Sequence, residues 1–315
     1  MTGYFFHRDC RKHEMGPGHP ECPQRLDVIE DRLLACGVAD ALDRCEAPLA
    51  STADIELAHD HLYVASLRGL TYGLLEEMAA GGPTHAQVDP DTSINQFTWD
   101  AALRAAGAAI AATDAVIAGE MDNAFCAVRP PGHHACRDQA MGFCFFNNVA
   151  IAALHALQRH GLQRVAIVDF DVHHGNGTED IVAGDERILM VSFYQHPFYP
   201  PGGSLSHASN LVNLPVPAYT KGDAVRALIE EHWLPRLEAF APQMIFISAG
   251  FDAHRDDDMG QMGLVEADYT WITQRIKQVA QRHAQGRIVS ILEGGYNLLA
   301  LARSVEAHVR VLADI

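Results

Sequence analysis

The segment from Val165 to Asn176 places carboxylates and imidazoles directly after an apolar run. Residues 165–168 are typical of a strand buried on both faces, and such a strand ends in charged groups only where something offsets their desolvation. Asp171 and His173 are two residues apart, so on an extended chain both side chains point to the same side. A carboxylate and an imidazole directed at one point supply two of the three protein ligands of a catalytic zinc site. The alternative is an ordinary strand end whose aspartates cap the next helix.

Another carboxylate, Asp252, follows the apolar run 244–248 in the same way. Two carboxylates and one imidazole would bind a metal through three ligands and leave a position open for water or substrate. Such oxygen-rich ligation leaves a zinc ion strongly Lewis-acidic. Asp252 could instead be a helix N-cap. We expect its neighbours in the acidic loop to be solvated charges; they are Asp256, Asp257 and Asp258.

Two adjacent histidines, His133 and His134, follow Pro-Pro-Gly at 130–132, which fixes an irregular turn. One imidazole could take a proton from an attacking water, and the other could stabilise charge. Each would need a partner on its far ring nitrogen, and Asp169 and Asn176 are the natural candidates. Adjacent loop histidines are otherwise usually surface residues.

Three aromatic residues follow other apolar runs. Tyr296 comes after two glycines, which let a backbone approach a ligand closely, and a phenol beside a metal can donate a hydrogen bond to a developing oxyanion. Phe143 and Tyr199 could form the walls of a narrow apolar slot. All three could equally be core residues.

The elements that must position these residues follow an alternating pattern after Gly119. Strands are predicted at 124–128, 165–170, 188–193, 244–248 and 288–292, and helices at 146–160, 222–240, 266–283 and 298–312. Before this, a strand is predicted at 3–6, helices from Pro23, at 58–75 and at 98–119, and a long loop at 79–96. Strands alternating with helices indicate an α/β parallel sheet, in which ligands bind beyond the carboxyl ends of the strands.

Composition narrows the class of protein. The 315 residues carry a formal net charge of −17, which argues against binding to nucleic acid or anionic membrane and favours a cationic substrate, unless it merely aids solubility. Seven cysteines without a CxxC pair fit reduced thiols in a cytoplasm. No signal peptide and no apolar run of membrane-spanning length is evident. No repeat or linker divides the chain, so we expect one catalytic domain over 1–315.

Six motifs, taken together, resemble the zinc-dependent histone deacetylase superfamily. They are His-Pro-Glu-Cys-Pro-Gln-Arg (19–25), Arg-Pro-Pro-Gly-His-His (129–134), Gly-Phe-Cys-Phe-Phe-Asn-Asn (142–148), Asp-Phe-Asp-Val-His-His-Gly-Asn-Gly-Thr (169–178), Ser-Ala-Gly-Phe-Asp (248–252) and Glu-Gly-Gly-Tyr (293–296). They run through essentially the whole chain and are similar to the class II branch, its bacterial relatives and the acetylpolyamine amidohydrolases. The resemblance implies a three-layer arginase/deacetylase fold, with a central, mainly parallel sheet of about eight strands between helices.

The resemblance also implies a catalytic centre. Asp171, His173 and Asp252 match the zinc ligands. His134 matches the general base and acid, and His133 its electrostatic partner.

Further matches concern the surroundings of this centre. Asp169 and Asn176 match the residues that orient the two histidines, and Tyr296 matches the oxyanion donor. Phe143 and Tyr199 match the aromatic residues that flank the acyl-lysine tunnel.

Outside the catalytic centre, Gly142 matches a tunnel wall, Asp91 a ligand of the substrate backbone and Arg25 an arginine near a product-release channel. Family members also carry a monovalent cation, usually potassium. Its matching positions are Asp169, Asp171, His173, Ser192 and Phe193.

We therefore predict a zinc-dependent amide hydrolase that removes acetyl or another short acyl group from the ε-amino group of lysine in proteins or peptides. Acetylpolyamine deacetylation is the alternative, although Met259 stands where a polyamine-selective relative has glutamate. A non-catalytic acyl-lysine binder is disfavoured, because the zinc ligands, the histidine pair and the tyrosine are all present. A homo-oligomer is possible. The remaining histidines are interpreted as structural or solvated, with a place near a pocket mouth as the alternative for His13 and His19.

Overall fold

A computed structural model describes all residues from Met1 to Ile315. Eight strands form one sheet in which every neighbouring pair is parallel. The strands are β1 (Thr2–Phe6), β2 (Leu42–Glu46), β5 (Asn123–Cys126), β6 (Val165–Asp169), β7 (Ile188–Gln195), β8 (Leu211–Val216), β9 (Ile245–Ala249) and β10 (Ile288–Leu292). Their order in the sheet is β2-β1-β5-β10-β9-β6-β7-β8.

The central strands are buried on both faces. Every residue of β5, β6, β9 and β10 is buried, and successive side chains of a strand point to opposite faces. Helices therefore cover both sides of the sheet, as expected for parallel strands that read as continuous apolar runs. The expected architecture, a parallel sheet of about eight strands between helices, is confirmed.

Ten α-helices surround the sheet. They are α1 (Gln24–Ala35), α2 (Thr52–Ile55), α3 (His61–Ala79), α4 (Thr98–Ala118), α5 (Asn148–Arg159), α6 (Asn176–Val182), α7 (Gly222–Leu228), α8 (Leu234–Phe240), α9 (Glu266–His283) and α10 (Leu298–Ala313). Helices α1, α9 and α10 pack together, and α4 packs on α5. Asparagine is the N-cap residue of α5 and of α10. The side chain of Asn147 accepts a hydrogen bond from the N–H of Ala150, and that of Asn297 accepts one from the N–H of Ala300.

Several sequence predictions of secondary structure were incomplete. The edge strands β2 and β8 were missed, because partial exposure replaces their apolar run with mixed residues. The segment 79–96, predicted as a loop, contains the end of α3 and an antiparallel hairpin of β3 (His85–Asp89) and β4 (Thr92–Asn95). The predicted helix at 222–240 contains a π-helical turn at Ile229–Trp233, just before Pro235, whose nitrogen cannot donate to the preceding turn.

Helix α4 corrects the expectation that no segment reaches membrane-spanning length. Its 21 residues are long and apolar enough to cross a membrane by length and composition, and two-thirds of its apolar window is buried inside the fold. The alanine-rich sequence lets α4 pack closely against α5 and the sheet, so its apolar character is explained by its place in the core.

Candidate active site

Four neighbouring strands, β5, β10, β9 and β6, deliver the candidate residues to one edge of the sheet. Asp171 and His173 follow β6, and Asp252 follows β9. One ligand atom from each lies within 4.8 Å of the other two, and all three side chains are buried. The three residues that the sequence predicted as metal ligands are thus brought together from positions about 80 residues apart.

The chemistry of these three side chains fits a divalent cation. Nδ1 of His173 lies 3.0 Å from Oδ1 of Asp171 and 3.2 Å from Oδ2 of Asp252, yet no hydrogen bond satisfies that Oδ2 atom. Burial and the charge of Asp171 raise the pKa of Asp252 to about 7. A buried carboxylate oxygen without a donor is costly, and a cation ligated by it would remove that cost. The donor set therefore fits zinc, with one imidazole and two carboxylates.

Two glycines allow the carboxylates to converge. A Cβ atom at Gly250 would collide with the carboxylate of Asp171, and one at Gly294 would collide with that of Asp252. The N–H of Gly294 instead donates to Oδ2 of Asp171 at 2.9 Å. Glycine is required at both positions because the backbone runs where a side chain would otherwise stand.

The tandem histidines lie side by side with ring centroids 4.1 Å apart, and their environments differ in charge. Nδ1 of His133 is 3.0 Å from Oδ2 of Asp169, whereas Nδ1 of His134 is 2.7 Å from the amide Oδ1 of Asn176. Both predicted partners are therefore in place. An amide oxygen can only accept, so Nδ1 of His134 carries a proton and its Nε2 is free to act as a base.

These environments drive the two pKa values apart. Burial lowers the pKa of His133, but the carboxylates of Asp171 and Asp169 outweigh it and hold that pKa well above its ordinary value. Burial and the charges of His133 and His173 hold the pKa of His134 well below its ordinary value. The two imidazoles therefore have different surroundings: His133 faces the carboxylate of Asp169, and His134, held neutral by burial and the neighbouring histidines, faces an amide.

A buried glutamate that the sequence analysis missed fixes the turn before this pair. Oε2 of Glu293 accepts hydrogen bonds from the N–H groups of Gly132 and His133 at 2.7 and 3.0 Å, and its Oε1 accepts from the hydroxyl of Ser248 at 3.0 Å. Burial raises its pKa to about 7. Glu293 directly follows β10, so the one available signal was a carboxylate placed after a buried apolar strand.

A cavity of about 190 Å³ opens onto these groups. Its lining consists of Asp91, His134, Gly142, Phe143, His173, Phe198, Tyr199, Asp258, Met259 and Tyr296. All five residues predicted to bind substrate therefore line one pocket, and Phe198 and Asp258 are additions. Phe198 stacks on the ring of His173 with centroids 5.5 Å apart.

Aromatic rings shape the pocket. Phe143 packs edge-on against Tyr296 at 5.9 Å, and Tyr199 packs edge-on against His134 at 5.1 Å. Gly142 has a left-handed backbone with φ of 55°, and a Cβ atom there would lie 2.5 Å from the ring of His134. The hydroxyl of Tyr199 is buried without a hydrogen-bond partner.

The loop carrying Tyr296 is held by two residues from elsewhere in the chain. Nε of Arg25 donates to the carbonyl of Gly295 at 2.7 Å, and its guanidinium lies 5.0 Å from the centre of the tyrosine ring. The carboxylate of Asp257 accepts from the N–H groups of Tyr296 and Asn297 at 2.6 and 2.9 Å. Asp257 was predicted to be a solvated charge; this was wrong, because its oxygens replace water as acceptors for the turn and only 4% of the residue is exposed.

Two predictions made for the pocket mouth have different outcomes. His19 packs edge-on against Phe143 at 4.7 Å and is at the mouth. His13 is instead fully buried, with Nδ1 2.8 Å from the hydroxyl of Thr98.

Three of the positions matched to a potassium site, Asp169, Ser192 and Phe193, lie on adjacent strands, and the other two follow β6. Asp169 pairs with Ser192 in the parallel register of β6 and β7, and Phe193 is the next residue of β7. The hydroxyl of Ser192 donates to Oδ1 of Asn213 at 2.8 Å. Potassium binding stays a prediction.

The parallel sheet, the buried Asp–His–Asp set and the paired histidines define the class of this protein as a deacetylase-type amidohydrolase. A Histone deacetylase domain matches residues 19–312, and the chain belongs to that family. It is 38% identical to the Histone deacetylase-like amidohydrolase of Pseudomonas aeruginosa, over 94% of this chain and 82% of the relative.

Two further comparisons agree with this membership. The human Polyamine deacetylase HDAC10 is 36% identical over 99% of this chain and 48% of its own length. A crystal structure of the HDA15 HD domain superposes with a TM-score of 0.90 at 32% identity, over 99% of this chain and 88% of that one.

Proposed function

We propose that this chain is a zinc-dependent deacetylase that hydrolyses the amide bond between a short acyl group, above all acetyl, and the ε-amino group of lysine in a protein or peptide. The observation that carries the proposal is the buried Asp–His–Asp set with His134 beside it, whose Nδ1 is held by Asn176 so that Nε2 is free to accept a proton. Asp171, His173 and Asp252 would hold zinc. Zinc bound there would act as a Lewis acid, polarising the amide carbonyl and making water more acidic.

The protein's own groups account for the proton transfers. Nε2 of His134 takes a proton from the attacking water, since its Nδ1–H is committed to Asn176. The resulting tetrahedral oxyanion accepts a hydrogen bond from the phenol of Tyr296. Burial, with the charge of Asp252, holds the pKa of Tyr296 well above its ordinary value, so the phenol stays protonated. His134 then gives its proton to the departing amine, the C–N bond breaks, and acetate is left.

Replacing Tyr296 with phenylalanine tests the oxyanion role. The substitution keeps the ring that packs on Phe143 and removes only the hydroxyl, so we expect kcat to fall by at least about tenfold with zinc content unchanged. Turnover close to that of the unmodified protein would exclude this role. A zinc-loaded unmodified protein that hydrolyses no acetyl-lysine or acetylpolyamine substrate would instead favour a non-catalytic acyl-lysine binder.

The choice of lysine over polyamine rests on the pocket. The narrow cavity is lined by Phe143, Tyr199 and Met259, which suits an uncharged acyl-lysine chain. Acetylpolyamine hydrolysis is the second candidate, and a specific observation favours it: Asp91 and Asp258 also line the pocket and could bind a second ammonium group. Comparing kcat/KM for an acetyl-lysine peptide and for N-acetylputrescine decides between them, and a strong preference for the latter would reverse our ranking.

We further propose that a potassium ion is bound by Asp169, Asp171, His173, Ser192 and Phe193. The register that places Ser192 beside Asp169 supports this site. Deacetylase activity in potassium chloride should differ from deacetylase activity in choline chloride at equal ionic strength. Identical activity in the two salts, over the full concentration range, would count against a functional potassium ion.

A further inference from the structure

Three side chains that the active site does not use, Asp114, His155 and His160, converge on one point. Nε2 of His155 lies 2.7 Å from Oδ1 of Asp114, and Nε2 of His160 lies 2.6 Å from the same oxygen. The two imidazole rings have centroids 5.3 Å apart. One ligand atom of each residue lies within 4.8 Å of the other two, as in the Asp171–His173–Asp252 set.

This cluster lies at the edge of the sheet opposite the active site. Asp114 is one turn from the end of α4, which leads into β5, and His155 and His160 are at the end of α5, which leads into β6. Both helices therefore end where the strands begin, whereas the catalytic residues follow the strands. A ligand bound at this cluster would not contact the catalytic pocket.

The donor set suits a transition metal. Two imidazole nitrogens and one carboxylate oxygen are the ligands found in three-residue zinc sites. Ligand atoms of a tetrahedral zinc site stand about 3.3 Å apart, as bond lengths of about 2.0–2.1 Å require. The two nitrogen-to-oxygen distances need to open by only about 0.6 Å, a small rotation of the Asp114 side chain.

The position of each side chain supports binding of an ion from solvent. Side-chain exposure rises from 10% for His155 through 27% for His160 to 50% for Asp114. His155 is thus anchored in the contact between α4 and α5, while Asp114 is accessible and a water could complete the coordination. By contrast, His283 pairs with a carboxylate without a second imidazole nearby: its Nε2 lies 2.6 Å from Oε2 of Glu238.

We propose that Asp114, His155 and His160 form a second transition-metal site, selective for zinc-like cations, that joins the carboxyl ends of α4 and α5. Nδ1 of His155 is buried without a hydrogen-bond partner, so the site lacks the orienting contact that tight zinc sites have. Binding is therefore weaker than at the Asp171–His173–Asp252 set. Its consequence is stabilisation, because a metal that binds the folded chain raises the unfolding temperature.

Equilibrium dialysis of the full chain against zinc, followed by elemental analysis, tests the site. The unmodified protein should bind two zinc ions per chain, the second more weakly, and zinc should raise its Tm beyond the effect of filling the first site. His160→Ala and Asp114→Ala should each weaken the second ion by at least about tenfold. Both side chains are partly exposed, so these variants should fold.

His283→Ala is the matched control, because it removes a similarly exposed histidine paired with a carboxylate. It should bind zinc as the unmodified protein does, and all three variants should keep the unmodified deacetylase activity. Saturation at one zinc ion per chain, with that ion retained in His160→Ala and Asp114→Ala, would overturn the proposal. So would a second ion that binds His160→Ala and Asp114→Ala as tightly as the unmodified protein.

Discussion

Replacing the buried carboxylate of Asp257 with the amide in Asp257→Asn tests whether the position of Tyr296 is set from outside its own loop. One carboxylate oxygen accepts the N–H groups of Tyr296 and Asn297 at 2.6 and 2.9 Å, and the other accepts that of Met259 at 2.9 Å. An asparagine oxygen can keep the first two bonds without the negative charge. Its NH₂ group then faces the N–H of Met259, so two hydrogen-bond donors oppose each other and the third bond is lost.

The magnitude follows from these three bonds. A hydrogen bond to a charged group contributes about 1.5–3 kcal/mol, against about 1 kcal/mol for a neutral one. Weakening two bonds by about 0.5–2 kcal/mol each and losing the third should cost the turn about 2.5–7 kcal/mol. The activity loss has an upper limit, because displacing Tyr296 cannot cost more than removing its hydroxyl, about 10²–10³ in kcat for an oxyanion donor. We expect Asp257→Asn to lower kcat by about 10–100-fold, with a smaller change in KM.

Steady-state kinetics on an acetyl-lysine peptide, with zinc content measured in parallel, gives the result. Asp256→Asn is the matched control, because this neighbouring side chain is 45% exposed and should change kcat by less than about twofold. In a Tyr296→Phe background, Asp257→Asn should lower kcat little further, since both changes act through the same hydroxyl. Unchanged kcat in the single variant, or a full additional loss in the double variant, would refute the positioning role.

Three further predictions concern the metal site, acid stability and the substrate. Gly294→Ala should abolish zinc binding at the proposed Asp171–His173–Asp252 site without altering a ligand, because the new Cβ displaces Asp252. Gly69→Ala, whose new Cβ meets open space, should leave the zinc content unchanged by elemental analysis. Burial lowers the pKa of His308 to about 3 from 6.5, so between these pH values the unfolded chain binds more protons than the folded chain, and stability is lost as the pH falls. His308→Gln should make this loss less steep by up to about 1.4 kcal/mol per pH unit, measured by denaturant unfolding at several pH values. Asp258→Asn should lower kcat/KM for N-acetylputrescine more than for an uncharged acetyl-lysine peptide, and equal losses on both would exclude a charge role for this side chain.

The sequence could predict the central sheet because its four middle strands are buried on both faces. Such strands need nearly continuous apolar runs; in β6 the run is Val165–Val168, and in β10 only Ser290 interrupts it. The edge strand β8 is half exposed and its residues follow no single pattern, so pairing with β7 decides its structure. The hairpin of β3 and β4 was missed because neither short strand contains an apolar run.

The sequence also supplied the residues that converge at the site. Parallel strands bring their carboxyl ends to one edge, and this rule is enough to place Asp171, His134 and Tyr296 near each other without coordinates. The motif resemblance then indicated which role each would have.

Contacts between distant residues were decided by the tertiary structure alone. Asp257 looks like one of three loop charges in the sequence, yet it lies beneath the Tyr296 turn and accepts three backbone hydrogen bonds. Asp114 and His155 lie on separate helices, and only the packing of α4 on α5 brings them together. Local sequence determines which groups are available and which strands form, whereas burial and long-range hydrogen bonding determine what each polar group is paired with. That pairing decides its charge and its chemistry.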